Sequence, residues 1–264
     1  MFNERKFDDD QLVSAAQQGN QPALEQLILR HQRWIYNIAI RMVGNPRDAE
    51  DVTQEILLKL IAKLNTFQRK SSFRTWLYRI TAHHVLDMKK RPQEERFVSF
   101  ERLGALIDQT SDEEYLDARM ASPDSAILVE DTRIRCMMGM LLCLDRSQRL
   151  VFILGVIYGV TAQFGGDVLE ISPENFRQQL ARARKQLFNF MDEKCGLVKP
   201  TNPCRCIRKT RAAIAAGRVD PEHLQFYSQH LHSAKTMAAQ HVQTVTLDDI
   251  ARLRDQQFFQ NQPF

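Results

Sequence analysis

Apolar residues recur three and four positions apart along most of the chain, whereas the alternation of apolar and polar residues typical of a strand is almost absent. The helical spacing extends from Leu12 to Leu86 and from Ala126 to Met191, and it weakens after Val219. The pattern predicts an all-α protein. No repeat with a period of about 20–50 residues accompanies it, which argues against a solenoid.

Charge divides this helical pattern into two domains. Nine Lys or Arg and one acid lie between Lys59 and Arg91, a net charge of +8, whereas eight acids and one Arg lie between Asp108 and Asp131, a net charge of −7. The acidic segment has few large apolar residues, which is typical of a linker. We predict a helical domain over residues 1–97, an acidic linker over 98–125, a second helical domain over 126–192 and a mostly helical extension over 193–264.

The composition limits the compartment and the partners. The net charge of +4 over 264 residues implies no partner by itself. The first ten residues lack the apolar segment of a secretory signal, and the longest uncharged run, from Leu150 to Gly166, is shorter than the roughly 20 apolar residues that span a bilayer. We expect a cytoplasmic protein without membrane insertion, and the five cysteines, an odd number, are expected to be reduced thiols.

The helix that follows the predicted turn Gly44-Asn45-Pro46 has two distinct faces. Asp48 is placed to cap it, one face is apolar, and a second face carries Asp48, Asp51 and Glu55. Two interpretations stay open. The acids form a solvated surface near the positive helix N-terminus, or they form a docking surface for a basic helical partner.

Aromatic residues and cations alternate in the segment 66–80. Cations along the phosphates together with aromatic faces for unstacked bases are how proteins hold single-stranded nucleic acid. The competing interpretation is that Trp76, Leu77 and Ile80 pack into the hydrophobic core. The rings and charges in question are Phe67, Phe73, Trp76, Tyr78, Arg69, Lys70, Arg74 and Arg79.

The order of residues over 48–55, 73–80 and 87–91 resembles conserved region two of bacterial RNA polymerase sigma factors of the extracytoplasmic-function (ECF) class. The resemblance implies that the acidic helix binds the clamp coiled coil of the polymerase core enzyme through Asp48, Asp51, Gln54 and Glu55. It also implies that the basic aromatic segment melts the minus-ten promoter element and reads its non-template strand. The residues expected there are Arg69, Lys70, Phe73, Arg74, Trp76, Tyr78, Arg79 and His83, the last standing where the family usually has Asn.

Capping signals in the second domain predict a helix-turn-helix. Asp145 precedes a strongly apolar helix with Gln148 as its capping partner, a short helix follows Thr161, a turn falls near Glu170, and Ser172-Pro173 opens the last helix. Its polar face suits the major groove of duplex DNA, where Asn, Gln and Arg read base edges or hold phosphates. An Arg-rich solvated surface is the alternative.

This block resembles region four of the same family, which reads the minus-thirty-five element. The resemblance assigns that contact to Asn175, Arg177, Gln178, Gln179, Arg182 and Arg184. The chain departs from the family at Gly165-Gly166, where Ile-Ala is usual, and at Glu170, where the turn usually has Gly. Because each Gly costs about 1 kcal/mol in a helix interior, we expect a loosened or redesigned supporting helix.

Three thiols lie within twelve residues of the extension, at Cys195, Cys204 and Cys206. Three interpretations stay open: a zinc site completed by a distant His such as His223, a thiol redox switch, or a helical extension with buried cysteines. We expect no other metal or cofactor.

Taken together, these patterns predict an ECF-type sigma factor that binds RNA polymerase core and directs promoter recognition, DNA melting and transcription initiation. Promoter DNA is the second expected partner, and an anti-sigma factor is an open third. The alternative is a stand-alone helix-turn-helix regulator. No phosphate loop, Cys-x-x-Cys, Ser-His-Asp arrangement or helical His pair is present in the sequence, so we expect neither enzyme activity nor a small-molecule substrate.

Overall fold

A computed structural model describes residues 8–96, 99–109, 125–202, 204–217, 219–222 and 224. Within these ranges the regular secondary structure is helical, and the strand-like pairing consists of an isolated bridge between Cys195 and Cys204. The predicted all-α class is confirmed. None of the helices in the described ranges has the length and apolarity needed to cross a membrane.

The first half of the chain forms a helical bundle whose core contains Leu27, Ile35, Val52, Ile56 and Leu77. Asn45, rather than the predicted Asp48, caps the third helix, because its side chain accepts hydrogen bonds from the amides of the first turn and Pro46 takes the first helical position. The helices are α1 Asp9–Gln17, α2 Gln21–Val43, α3 Pro46–Lys63, α4 Phe73–Asp87 and α5 Pro92–Arg96, with a 3-10 turn at Leu64–Thr66 after α3.

The second half contains the predicted helix-turn-helix. Asp145 and Ser172 each accept a backbone amide hydrogen bond at a helix N-terminus, so both capping predictions are confirmed, and Thr161 caps the short helix that was expected to begin there. The helices are α6 Phe100–Asp108, α7 Ser125–Leu142, α8 Arg146–Phe152 with a π-helical continuation at Ile153–Ile157, α9 Ala162–Leu169, α10 Pro173–Lys194 and α11 Cys206–Ala215.

The beginning of the predicted acidic linker is helix α6, which packs on α10. The Phe100 and Phe190 rings lie 5.2 Å apart, and Lys194 forms an ion pair of 2.7 Å with Asp108. Residues 110–124, which hold most of the linker's acids, lie outside the described residues. The described part of the linker is therefore a docked helix.

The glycine pair in α9 permits close packing, so of the two outcomes that we expected, a loosened or a redesigned supporting helix, α9 has the second. A Cβ on Gly165 would lie 2.2 Å from the Phe176 ring of α10, and a Cβ on Gly166 would lie 2.7 Å from the carbonyl oxygen of Ile171. Glu170 ends the helix in the left-handed conformation, with φ +57°. The glycine pair thus lowers the helix propensity of α9 but allows its close contact with α10.

A buried guanidinium joins the two halves. The Arg149 side chain, in a residue 3% exposed, donates to the carbonyl oxygens of Leu141, Leu142 and Leu144 at 3.0–3.1 Å and also to that of Met42. These carbonyls lie at the C-terminal ends of α7 and α2. A cation there satisfies acceptors that no helical amide reaches and complements both helix dipoles.

Arg146 makes the same kind of contact with α4. It donates to the carbonyl oxygens of Leu86 and Lys89 at 3.2 and 3.1 Å, and also to that of Met88. Glu94 of α5 is the counter-ion of both arginines, at 2.7 Å from Arg146 and 2.9 Å from Arg149. We call Glu94, Arg146 and Arg149 the interdomain ion cluster.

The partners of Glu94 keep its carboxyl group ionised. Burial alone would raise the pKa of this carboxyl, but the hydrogen bonds from Arg146 and from the Arg91 amide, with the charge of Arg149, hold it below its ordinary value. Glu94 is therefore a buried carboxylate that the two arginines keep ionised.

We expect Gly165→Ala to destabilise the chain by about 1–2 kcal/mol, because overpacking against Phe176 exceeds the helix propensity that Ala adds. Urea unfolding measures the change. The control is Gln163→Ala, an exposed site on α9, for which we expect a change within about 0.5 kcal/mol. Equal or greater stability of Gly165→Ala would contradict the packing role.

We expect Glu94→Gln to cost about 3–5 kcal/mol at pH 7, because it leaves the buried Arg149 and the half-buried Arg146 without a counter-ion. The folded-state pKa is depressed, so the carboxylate contributes its stability above its ordinary pKa near 4.5 and loses it as the pH falls through the folded value. The difference from wild type should therefore shrink below about pH 4, as urea unfolding across pH would measure. A pH-independent difference, or one matched by the exposed neighbour Glu95→Gln, would refute the assignment.

Candidate nucleic-acid interface

The acidic face of α3 is open to solvent. Asp51 and Gln54 are exposed and Asp48 is half-buried, while the opposite face of the helix is in the hydrophobic core. Glu55 is also exposed, but it is 3.0 Å from His84 Nε2 and 3.1 Å from Arg91. Glu55 is thus tied to the bundle, whereas Asp51 and Gln54 project without such ties.

Two apolar side chains lie on the same face, and the sequence analysis missed them. Leu58 is 65% exposed and Ile61 is 42% exposed, while the helical stripe that includes Ile56 and Leu60 is buried. The signal was present in the sequence as an apolar pair three positions apart outside the buried stripe. An acidic face with an apolar end has the mixture of charge and burial that protein interfaces use. We call Asp48, Asp51, Gln54, Glu55, Leu58 and Ile61 the α3 face.

Two of the predicted DNA-contacting aromatics are inside the bundle, which corrects the expectation that they present their rings to DNA. Phe73 is 1% exposed and contacts Phe67 and Trp76 at ring distances of 5.7 Å. Tyr78 is 2% exposed and stacks on Trp34 at 4.3 Å. Alternation of aromatics and cations does not distinguish rings that bind bases from rings that build the core beneath the cations.

A groove of about 530 Å³ opens between the end of α3 and the middle of α4. Trp76, which is half-buried, lines it together with Arg79 and the exposed His83. Lys59 and Lys63 line it from α3, and the sequence analysis did not assign them to DNA. The groove combines an aromatic side chain with several cations, which is what a single strand requires. We call it the α3–α4 groove.

Other cations of the predicted segment lie at the surface. Arg69, Lys70 and Arg74 are exposed. Arg69 has φ +57° and donates to the Ser14 hydroxyl, and the Arg74 guanidinium lies 5.7 Å from the centre of the Tyr78 ring. These exposed cations can contact successive phosphates of a nucleic-acid strand, while the aromatic rings beneath them pack in the core of the bundle.

Helix α9 covers part of this surface. The Phe164 ring meets the Tyr78 ring edge-on at 5.5 Å, and Arg79 Nε donates to the Asp167 carbonyl oxygen at 2.9 Å. His83 Nε2 is 3.7 Å from a carboxylate oxygen of Glu170. Three of the predicted strand-reading residues therefore contact the second half of the chain.

The predicted duplex-reading residues share the polar side of α10. Asn175, Arg177, Gln178 and Arg182 are exposed, while Gln179 and Arg184 are half-buried. Glu174 binds Arg177 at 2.8 Å and Gln178 at 3.3 Å, and Gln179 donates to Asn175 at 3.1 Å. These bonds lie on the surface, where DNA could replace them at small cost.

The cysteines of the extension lie against the second half of the chain. Cys204 and Cys206 line a cavity of about 230 Å³ together with Cys136 of α7, and the backbones of Cys195 and Cys204 form the isolated bridge. His223 lies outside the described residues. Among the described side chains, no three of Cys, His, Asp or Glu already stand at metal-ligand spacing.

Comparison with known proteins agrees with this arrangement. The sigma-70 region 2 family matches residues 27–95, which include α3, α4 and Glu94. The ECF sigma factor SigE of Mycolicibacterium smegmatis is 26% identical over 175 residues, 66% of this chain and 63% of SigE. The sigma-H factor of Pseudomonas aeruginosa is 36% identical over 88 residues, 32% of this chain and 46% of that factor. The chain thus spans less than two thirds of these two relatives.

Longer matches extend into the second half of the chain. The ECF sigma-E factor of Escherichia coli K12 is 25% identical over 190 residues, 69% of this chain and 93% of that factor. Among solved structures, CnrH in complex with the cytosolic domain of CnrY is similar, with a TM-score of 0.50 and 25% identity over 70% of this chain and 98% of that one. The chain therefore carries a sigma-70 region 2 domain, and it is similar to RNA polymerase sigma factors of the ECF class over about two thirds of its length.

Proposed function

We propose that the protein is a promoter-specificity subunit that binds RNA polymerase core and directs promoter recognition, melting and initiation. The observation that carries the proposal is that one region-two domain combines an acidic face with exposed apolar residues and a groove with aromatic and cationic residues. A docking surface and a single-strand site are the two parts that such a subunit needs.

Core binding is assigned to the α3 face. Asp51 and Gln54 supply exposed polar groups, and Leu58 and Ile61 supply apolar surface that becomes buried against the partner. Complementary charge sets orientation and encounter rate, while apolar burial provides affinity. The chemistry fits a basic helical element of the polymerase.

DNA binding is divided between two surfaces. The α3–α4 groove would take the melted strand, with Trp76 beside the bases and Lys59, Lys63 and Arg79 on the phosphates. The polar side of α10 would enter the major groove of upstream duplex, where Asn175 and Gln178 are placed to read base edges. The two surfaces belong to different domains, so their spacing on a promoter depends on how the domains are arranged.

The arrangement described here is closed, because α9 contacts Tyr78, Arg79 and His83. Full use of the strand-reading surface requires α9 to move away. CnrH is found in complex with the cytosolic domain of CnrY. By that similarity we infer that a regulatory protein of the anti-sigma kind is a further partner, one that would favour or oppose the closed arrangement.

The exposed polar side of α10 would also serve a stand-alone regulator. That function leaves the α3 face without a purpose, so we favour the sigma function. The chain would act in the cytoplasm by binding and not by catalysis.

We expect Asp51→Lys to weaken binding to RNA polymerase core at least tenfold, or by about 1.4 kcal/mol, since it reverses charge at the centre of the α3 face. Titration of labelled core with the full chain measures the affinity. Glu25→Lys makes the same charge change at an exposed site of α2 and should leave it within about twofold. Equal loss in both variants, or none in Asp51→Lys, would place the docking surface elsewhere.

We expect Phe164→Ser to increase the affinity of the isolated chain for mixed-sequence single-stranded DNA by roughly twofold to tenfold. The edge-on contact with Tyr78 is worth about 0.5–1.5 kcal/mol, and its loss shifts the chain towards the open form. Fluorescence anisotropy at fixed low salt measures the affinity. The control is Phe188→Ser, which removes a half-buried Phe from α10. An unchanged affinity, or an equal increase in the control, would show that α9 does not occlude the strand site.

A further inference from the structure

The start of the extension is a fixed loop and not a loose tail. The Asn202 amide donates to the carbonyl oxygens of Asp192 and Cys195 at 2.9 and 3.1 Å. The Arg205 guanidinium donates to the carbonyl oxygens of Pro200 and Cys204 at 2.5 and 3.1 Å. The described residues 195–202, 204 and 205 therefore hold a defined conformation between α10 and α11.

This loop brings three thiols to a fourth on another helix. Cys195 and Cys204 are paired by the backbone bridge, Cys206 opens α11, and Cys136 lies on α7 against the same cavity as Cys204 and Cys206. Helix α11 packs directly on α7.

The cavity that Cys136, Cys204 and Cys206 line is otherwise largely apolar, with Leu103, Ile107 and Met138 in its wall. Each of these cysteines is a free, half-buried thiol. Structural zinc sites are closed sites built from such side chains, which lose their protons when the metal binds.

We propose that Cys136, Cys195, Cys204 and Cys206 form a four-thiolate site for Zn²⁺ that fastens the extension to α7. Tetrahedral coordination by four cysteines is a common structural zinc arrangement, with each sulfur about 2.3 Å from the metal. From the sequence, a distant His such as His223 was the candidate fourth ligand of a zinc site, whereas the proposed site has Cys136 as its fourth ligand.

The charge and proton balance of this step is simple. Four thiols release four protons to the buffer and Zn²⁺ binds the four thiolates, which leaves the site with two negative charges. Arg133 hydrogen-bonds the Cys206 thiol, Arg205 donates to the Cys204 carbonyl oxygen at 3.1 Å, and Lys209 lines the same cavity as Cys204. These three cations compensate the charge. No oxidant or reductant takes part.

The test uses the full chain, reduced and freed of metal with a chelator, then desalted after addition of one equivalent of ZnCl₂. We expect about one zinc per chain by elemental analysis and protection of the four cluster thiols from alkylation, as mapped by mass spectrometry. At a free zinc concentration 100-fold above Kd, the melting temperature should rise by roughly 5–10 °C.

Matched cysteine variants locate the site. Cys136→Ser and Cys204→Ser should each weaken zinc binding at least tenfold, whereas Cys143→Ser should bind as wild type, because Cys143 Sγ is bonded to the Gly139 carbonyl oxygen within its own helix. Circular dichroism of each metal-free variant against metal-free wild type separates loss of ligand from loss of fold.

Three results would overturn the proposal. The first is a wild-type chain that retains no zinc. The second is full zinc binding by both Cys136→Ser and Cys204→Ser. The third is protection of Cys143 in place of the cluster thiols.

Discussion

The arrangement of the two halves depends on Arg149, a buried cation that holds the C-terminal ends of α2 and α7 together. Helix ends carry carbonyl groups that a dry interior cannot leave without partners, and here one guanidinium satisfies several of them. Arg146 does the same for α4, and Glu94 is the shared counter-ion of both arginines. Because Glu94 belongs to the first half and the arginines to α8, the interdomain ion cluster fixes where the helix-turn-helix sits.

That position has a consequence for function. With α8 fixed on the first bundle, α9 lies over Tyr78 and Arg79. Because Gly165 and Gly166 have no side chains, α9 also packs closely against Phe176 of α10. The contacts that cover the strand-reading surface are an aromatic edge and a few polar bonds. Such contacts can be exchanged for contacts with a partner, while the ion cluster resists separation more strongly.

The sequence predicted what depends on local chemistry. Helical spacing gave the fold class, and the capping signals at Asp145 and Ser172 located the helix-turn-helix. The sequence could not show that Phe73 is buried, because the burial of a ring depends on which helices pack around it. It left open whether the glycine pair loosens or redesigns α9, because helix propensity counts the cost of a missing Cβ and not the space that it leaves. Cys136 joined the extension thiols only through tertiary packing of α7.

Run-off transcription by purified RNA polymerase core on a genomic fragment library, with and without this chain, tests most directly whether the chain is a promoter-specificity subunit. We predict start sites that appear only with the chain and share one upstream and one minus-ten sequence. Identical transcripts in both reactions, from a chain that binds the core, would contradict the assignment as a promoter-specificity subunit.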